Sequence, residues 1–94
     1  MTSTAPFQTQ FSLPVFNING TSSRSIEHEY YQALQAFRIA EQMLMNCTCH
    51  GRDFQMQSTA AYSIAKQERD QMLSHCQAIH DYLEAWYWHA VDSN

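Results

Sequence analysis

Ninety-four residues make one domain at most, and a 45% hydrophobic content is enough for a core but leaves so short a chain near marginal stability. Two glycines and two prolines exclude collagen-like and turn-rich all-β chains, while nine acidic against five basic residues (net charge −4) argue against a wide basic surface for DNA or RNA polymers. No apolar run approaches the ~20 residues of a membrane span, and Met1–Gln10 carries neither Lys or Arg nor an apolar h-region. The expectation is a small, acidic, soluble protein of the cytoplasm, with no membrane partner and no secretory signal.

Residues 1–20 hold both prolines, Pro6 and Pro14, and the first glycine, Gly20. Phe7, Phe11, Leu13, Val15, Phe16 and Ile18 are spread through them. Pro14 and Gly20 bar a helix of any length, so this part reads as an extended N-terminal arm ending in a turn at Asn19-Gly20. From about 24 to 46, Ile26, Tyr30, Ala33, Leu34, Phe37, Ala40 and Leu44 recur at steps of three and four, one stripe of a helix. Thr21, Ser22 and Ser23 are its N-cap candidates, with Glu27 and Glu29 near the positive dipole end. Residues 47–57 break the period and contain Gly51. Ser58 or Thr59 caps a second helix over about 59–90, striped by Ala61, Ile64, Ala65, Glu68, Met72, Cys76, Ile79, Leu83 and Trp86. Glu68 is the only charged member of that stripe.

The fold class is therefore all-α: residues 21–94 form an antiparallel helical hairpin behind the arm. The two helices are about 23 and 32 residues, or roughly 35 and 48 Å. On a short connection the second overhangs the first, and the overhang carries Trp86-Tyr87-Trp88-His89. Rings point all round that segment and two helices cannot cover them. Both the arm and further copies of the chain are expected to do so, which makes the protein a homo-oligomer.

Chemistry-bearing residues are sparse. Cys47-x-Cys49-His50 has thiolates and an imidazole close together, with His75, Cys76 or His80 as further zinc ligands. The Cys-x-Cys spacer is unusual, and position 76 lies far along the second helix. Free cysteines in a reducing compartment are the better reading. No His-x-x-x-His or His-Glu-x-x-His motif supports a helix-borne metal site, so His28, His75, His80 and His89 read as solvated or partly packed. No nucleophile has a base at a recognisable spacing and no phosphate-binding glycine loop occurs, so neither an enzyme nor a cofactor is expected.

Two polar clusters stand out. Asn19-Gly20-Thr21-Ser22-Ser23-Arg24 is a turn running into a helix start, where free N–H groups, hydroxyls and Arg24 converge as they do around phosphate or carboxylate. The same residues also serve as plain caps. In Gly51-Arg52-Asp53-Phe54 an arginine and a ring share a tight loop suited to a phosphate and a stacked base. A turn with a local Arg52–Asp53 pair is the simpler account. In one hairpin the clusters lie about 35 Å apart, so one ligand meets both only if hairpins pack together. Near the hairpin's middle Arg38 is expected opposite Lys66 with Arg69 a turn further on, partly neutralised by Glu41, Glu68 and Asp70.

Phe16-Asn17-Ile18-Asn19-Gly20-Thr21-Ser22, Gly51-Arg52-Asp53-Phe54, Gln57 and Tyr62 resemble a family of short phage and prophage proteins. Its members read apolar-His-apolar-Asn-Gly-Thr-Ser, a helix, (Asn/His)-Gly-Arg-Asp-Tyr-Tyr-Pro-Gln-Gly, a second helix and an Ala-x-x-Glu-His step. The likeness spans about residues 15–75. Asn17 replaces the family's His, Phe54 a Tyr, Met56 the Pro, Ser58 the Gly, and Arg69 the His after Glu68. Losing His and Tyr weakens acid–base chemistry more than binding.

In size and hairpin design the chain is also similar to the compact helical oligomers, or sponges, with which phages sequester nucleotide signals of bacterial defence. That analogy implies a non-enzymatic anti-defence protein binding a cyclic oligonucleotide or ADP-ribose derivative between subunits, in the cytoplasm of the infected host. Asn19, Thr21, Ser22 and Arg24 would take phosphate, Arg52 beside Asp53 would clamp it, Phe54 would stack on a base, and Arg69 would add charge. The competing expectation is an interaction module that inhibits a host defence protein through Trp86, Tyr87 and Trp88, residue types that dominate interfaces.

Overall fold

Residues 11–94 are described by a computed structural model, and they contain two α-helices, one 3₁₀ turn and no strand. Helix α1 is Ser23–Met45 and α2 is Thr59–Asp92, with the 3₁₀ turn Gly51–Phe54 between them. The expected arm extends over residues 1–10, including Pro6 and Phe7, which lie outside the described residues. Ser22 starts α1: its backbone is extended and its Oγ accepts from Ser25 N at 3.1 Å, satisfying one free donor of the first turn. Ser58 occupies the corresponding place before α2 without a side-chain bond.

Numbers descend along α2 as they rise along α1, which makes the pair a hairpin. Ser23 Oγ donates to Asn94 Oδ1, Tyr30 stacks on Trp86 with centroids 4.8 Å apart, Phe37 meets His80 edge-on at 5.7 Å, and Arg69 reaches the end of α1. The seam on α2 is Leu73, Cys76, His80, Leu83, Tyr87 and Ala90, each half-buried or buried. These are strict three–four steps, the spacing that keeps one helix facing another. On α1 the matching set is Tyr30, Leu34, Phe37, Glu41 and Leu44. Among the described residues only Leu34, Ala85 and Ala90 are buried. The radius of gyration is 18.8 Å, against about 13 Å for a compact chain of this length.

Three sequence expectations change here. The expected α2 stripe meets the seam at Cys76 and Leu83, and Trp86 reaches Tyr30, but Ile64, Met72 and Ile79 sit off the seam and stay exposed. The overhang is at the other end. Asn94 lies against the start of α1, and the unpaired part of α2 is its first ten residues, about 15 Å. The reason is the connection: residues 46–58 number thirteen, enough to climb α2 before reversing, and Arg69 fixes the register by donating to the Met45 and Cys47 carbonyls, the latter at 2.9 Å. Arg38, Lys66 and Arg69 consequently do not gather. Arg38 is 3.7 Å from Glu84, about 27 Å along α2 from Lys66.

The part of the arm that is described does fold back on the aromatic end. Ala85 and His89 lie on the side of α2 away from α1, with Tyr82 at its edge, where its ring also meets Tyr30 of α1 at 6.5 Å. Phe11 packs edge-on against Tyr82 at 5.2 Å and Phe16 stacks on His89 at 5.5 Å. His89 Nε2 meets the Pro14 carbonyl, which can only accept, so the Nε2–H tautomer is the one present. Ala85, on a face that α1 cannot reach, is 5% exposed.

Candidate functional site

The turn before α1 is tied by its own side chains. Asn17 Oδ1 accepts from Asn19 N at 2.9 Å, the Asn17 carbonyl accepts from Gly20 N at 3.1 Å, and Asn17 Nδ2 donates to the Val15 carbonyl at 3.3 Å. Asn17, where the resembled family has His, is thus the residue that closes the turn. Ser22 Oγ is engaged by Ser25, Ser23 by Asn94, and Glu27 accepts from Asn94 Nδ2. Thr21 is exposed. Arg24 is exposed too, and with Glu27, His28, Tyr31 and Tyr87 it lines an open hollow of about 350 Å³. Burial raises the Tyr30 hydroxyl pKa above its usual 10.0, reinforced by a hydrogen bond with Tyr82 and the charges of Tyr82 and Glu29.

At the other end, the 3₁₀ turn closes through Asp53 N to the His50 carbonyl at 3.1 Å. Phe54 tilts against Tyr62 with centroids 6.0 Å apart, and a Cβ on Gly51 would lie 3.6 Å from the same Tyr62 ring. Phe54 therefore already has a ring partner. Arg52 and Asp53 are exposed and form no ion pair with each other or with any other described residue. Arg69 differs from them: two of its N–H groups are committed to the carbonyls that end α1. Among the expected ligand residues, Asn19, Thr21, Ser22 and Arg24 are neighbours along the turn into α1, but the hollow that Arg24 lines includes none of the other three; Arg52, Asp53 and Phe54 share the 3₁₀ turn. The two groups occupy opposite ends of the hairpin.

Of the histidines expected to be solvated or partly packed, His80 and His89 are the packed ones. His80 packs in the seam against Phe37, its Nε2 3.1 Å from Glu41 Oε1 but without hydrogen-bond geometry. His89 holds the arm. The three–four steps through 73, 76, 80, 83 and 87 were the available sign for His80; nothing local marks His89. Among the described residues no three His, Cys, Asp or Glu side chains converge as a metal site, Cys47, Cys49 and Cys76 are free thiols, and no helix is long and apolar enough to cross a membrane. Comparison with protein-family models, curated proteins and solved structures finds no match to this chain.

Proposed function

We propose that this chain is a non-enzymatic, self-assembling phage anti-defence protein that sequesters a phosphate-bearing nucleotide signal between its copies. The observation that carries this reading is the state of its arginines. Arg38 and Arg69 are held by Glu84 and by the end of α1, whereas among the described residues nothing engages the guanidinium groups of Arg24 and Arg52. Arg24 shares a hollow with Glu27, His28, Tyr31 and Tyr87, and Arg52 stands in the same short 3₁₀ turn as Phe54, whose ring leans on Tyr62. That pairing of planar cation and ring suits a phosphate linked to a base. One hairpin keeps the two apart; two hairpins lying head to tail bring the start of α1 in one towards the loop of the other. A cytoplasmic site of action follows from the nature of such signals.

Native mass spectrometry against cyclic dinucleotides, cyclic trinucleotides and ADP-ribose derivatives tests this. The expected result is a defined oligomer holding a fixed number of intact ligands, with Arg52→Ala abolishing the complex at unchanged helical content. An oligomer that ignores the whole panel sinks the proposal. The competing role, capping a host defence protein with the aromatic end of α2, has less to work with: Trp86 stacks on Tyr30 and Tyr87 lies 6.0 Å from Tyr31 in the same chain. Trp88 in turn meets Tyr87 edge-on at 5.0 Å.

A further inference from the structure

The lower half of α2 carries an apolar stripe that no other described residue covers. Ile64, Met72 and Ile79 are 53%, 48% and 41% exposed, and Glu68 and His75 lie between them on the same face, at steps of four, four, three and four. The stripe runs into the face that the arm covers at Tyr82. Among the described residues neither Glu68 nor His75 has an ion-pair partner.

Apolar and ionisable side chains alternate along the stripe in an order that is the same in kind from both ends, with Glu68 and His75 exchanging places. Laid against a copy of itself in the opposite direction about an axis between Gln71 and Met72, the stripe puts Ile64 against the partner's Ile79 and Glu68 against the partner's His75, with Met72 beside the axis. Each contact then occurs twice, as a two-fold interface requires. Side chains that clash in a parallel alignment, Glu68 against the partner's Glu68, become complementary in this one. Beside Ile64, an open hollow of about 460 Å³ is bordered by Gln67, Glu68, Asp70, Gln71 and Ser74, a polar margin next to the stripe.

We infer that a second copy of this chain covers the Ile64–Ile79 face of α2, the two α2 helices running in opposite directions and paired through Glu68 and the partner's His75. The interface rests on the assembly half of the function proposed above and not on its ligand. Sedimentation velocity of the full chain, with circular dichroism on the same samples, tests it. The wild type should dimerise or form even-numbered assemblies. Met72→Glu, which sets two carboxylates side by side at the axis, should weaken association on the order of 100-fold while helical content is kept. Should that variant fail to fold, the charges decide. Glu68→Lys should weaken association about tenfold, and adding His75→Glu should bring it back to within about twofold of wild type. A monomeric wild type would overturn the interface, as would an oligomer indifferent to Met72→Glu or a double variant no better than the single one. A dimer that behaves as expected but binds no nucleotide leaves this interface standing and removes the ligand reading.

Discussion

The two ends of the hairpin are built by different physics. At the closed end, Tyr30, Tyr82 and Trp86 pack together, the arm adds Phe11 and Phe16, and Ala85 and Ala90 are sealed. At the loop end no described residue before Ala85 on α2 is fully buried; the helix is held there by Arg69 on the α1 carbonyls and by Phe54 on Tyr62. Apolar side chains are present at both ends. What differs, among the described residues, is that the arm from Phe11 to Phe16 lies over those of the closed end.

Removing the ring that organises the closed end should give the largest effect. Trp86 touches Tyr30 and Tyr82, and its Nε1 is buried without an acceptor, so its contribution is packing rather than hydrogen bonding. Trp86→Ala is expected to cost about 3 kcal/mol and to lower the melting temperature by roughly 12–20 °C. A comparable loss from Tyr62→Ala at the loop end would erase the contrast between the two ends. Thermal unfolding followed by circular dichroism reads both.

Arg69 comes next. Arg69→Ala leaves the Met45 and Cys47 carbonyls to water, for a loss of about 1–2 kcal/mol. Amide exchange should quicken first at Asn46 and Cys47, while the Tyr30–Trp86 end keeps its protection. Arg69→Lys should recover only part of the loss, because a single ammonium does not span two carbonyls as a planar guanidinium does. Equal loosening along the whole hairpin would mean that the ends are not separate units.

Arg69 also shows where the sequence stops being legible. Periodicity located both helices, to within a residue or two of Ser23–Met45 and Thr59–Asp92, because three–four spacing and capping serines are local properties. It did not reveal the axial register. Helical spacing says which side chains share a face, never how far one helix slides along the other; a thirteen-residue connection permits many offsets and one arginine selects among them. The α2 stripe was misread for a related reason. Ile64, Met72 and Ile79 make as good an apolar line as Leu73, Cys76 and Leu83, and only the position of α1 separates the covered line from the open one. At the candidate site the turn and the loop were legible as polar clusters. That Asn17 closes the first and that Phe54 leans on Tyr62 in the second depends on contacts the spacing does not contain.

The smallest effect is the one that separates cap from ligand site. Ser22 accepts from Ser25 N, so Ser22→Ala should cost about 1 kcal/mol in chemical denaturation whether or not anything binds there. Ser22→Asp is more informative. Aspartate is as good an N-cap as serine and its charge suits the helix dipole, so stability should stay within about 0.5 kcal/mol of wild type. The same carboxylate stands where a phosphate would approach Thr21, Ser22 and Arg24, and repulsion at such range should weaken nucleotide binding tenfold or more, on the order of 1–4 kcal/mol in Coulomb energy near a surface. Stability kept and binding lost assigns this turn to the ligand. Both kept would assign Ser22 to capping alone and leave Arg52, at the open end, as the residue on which any phosphate must depend.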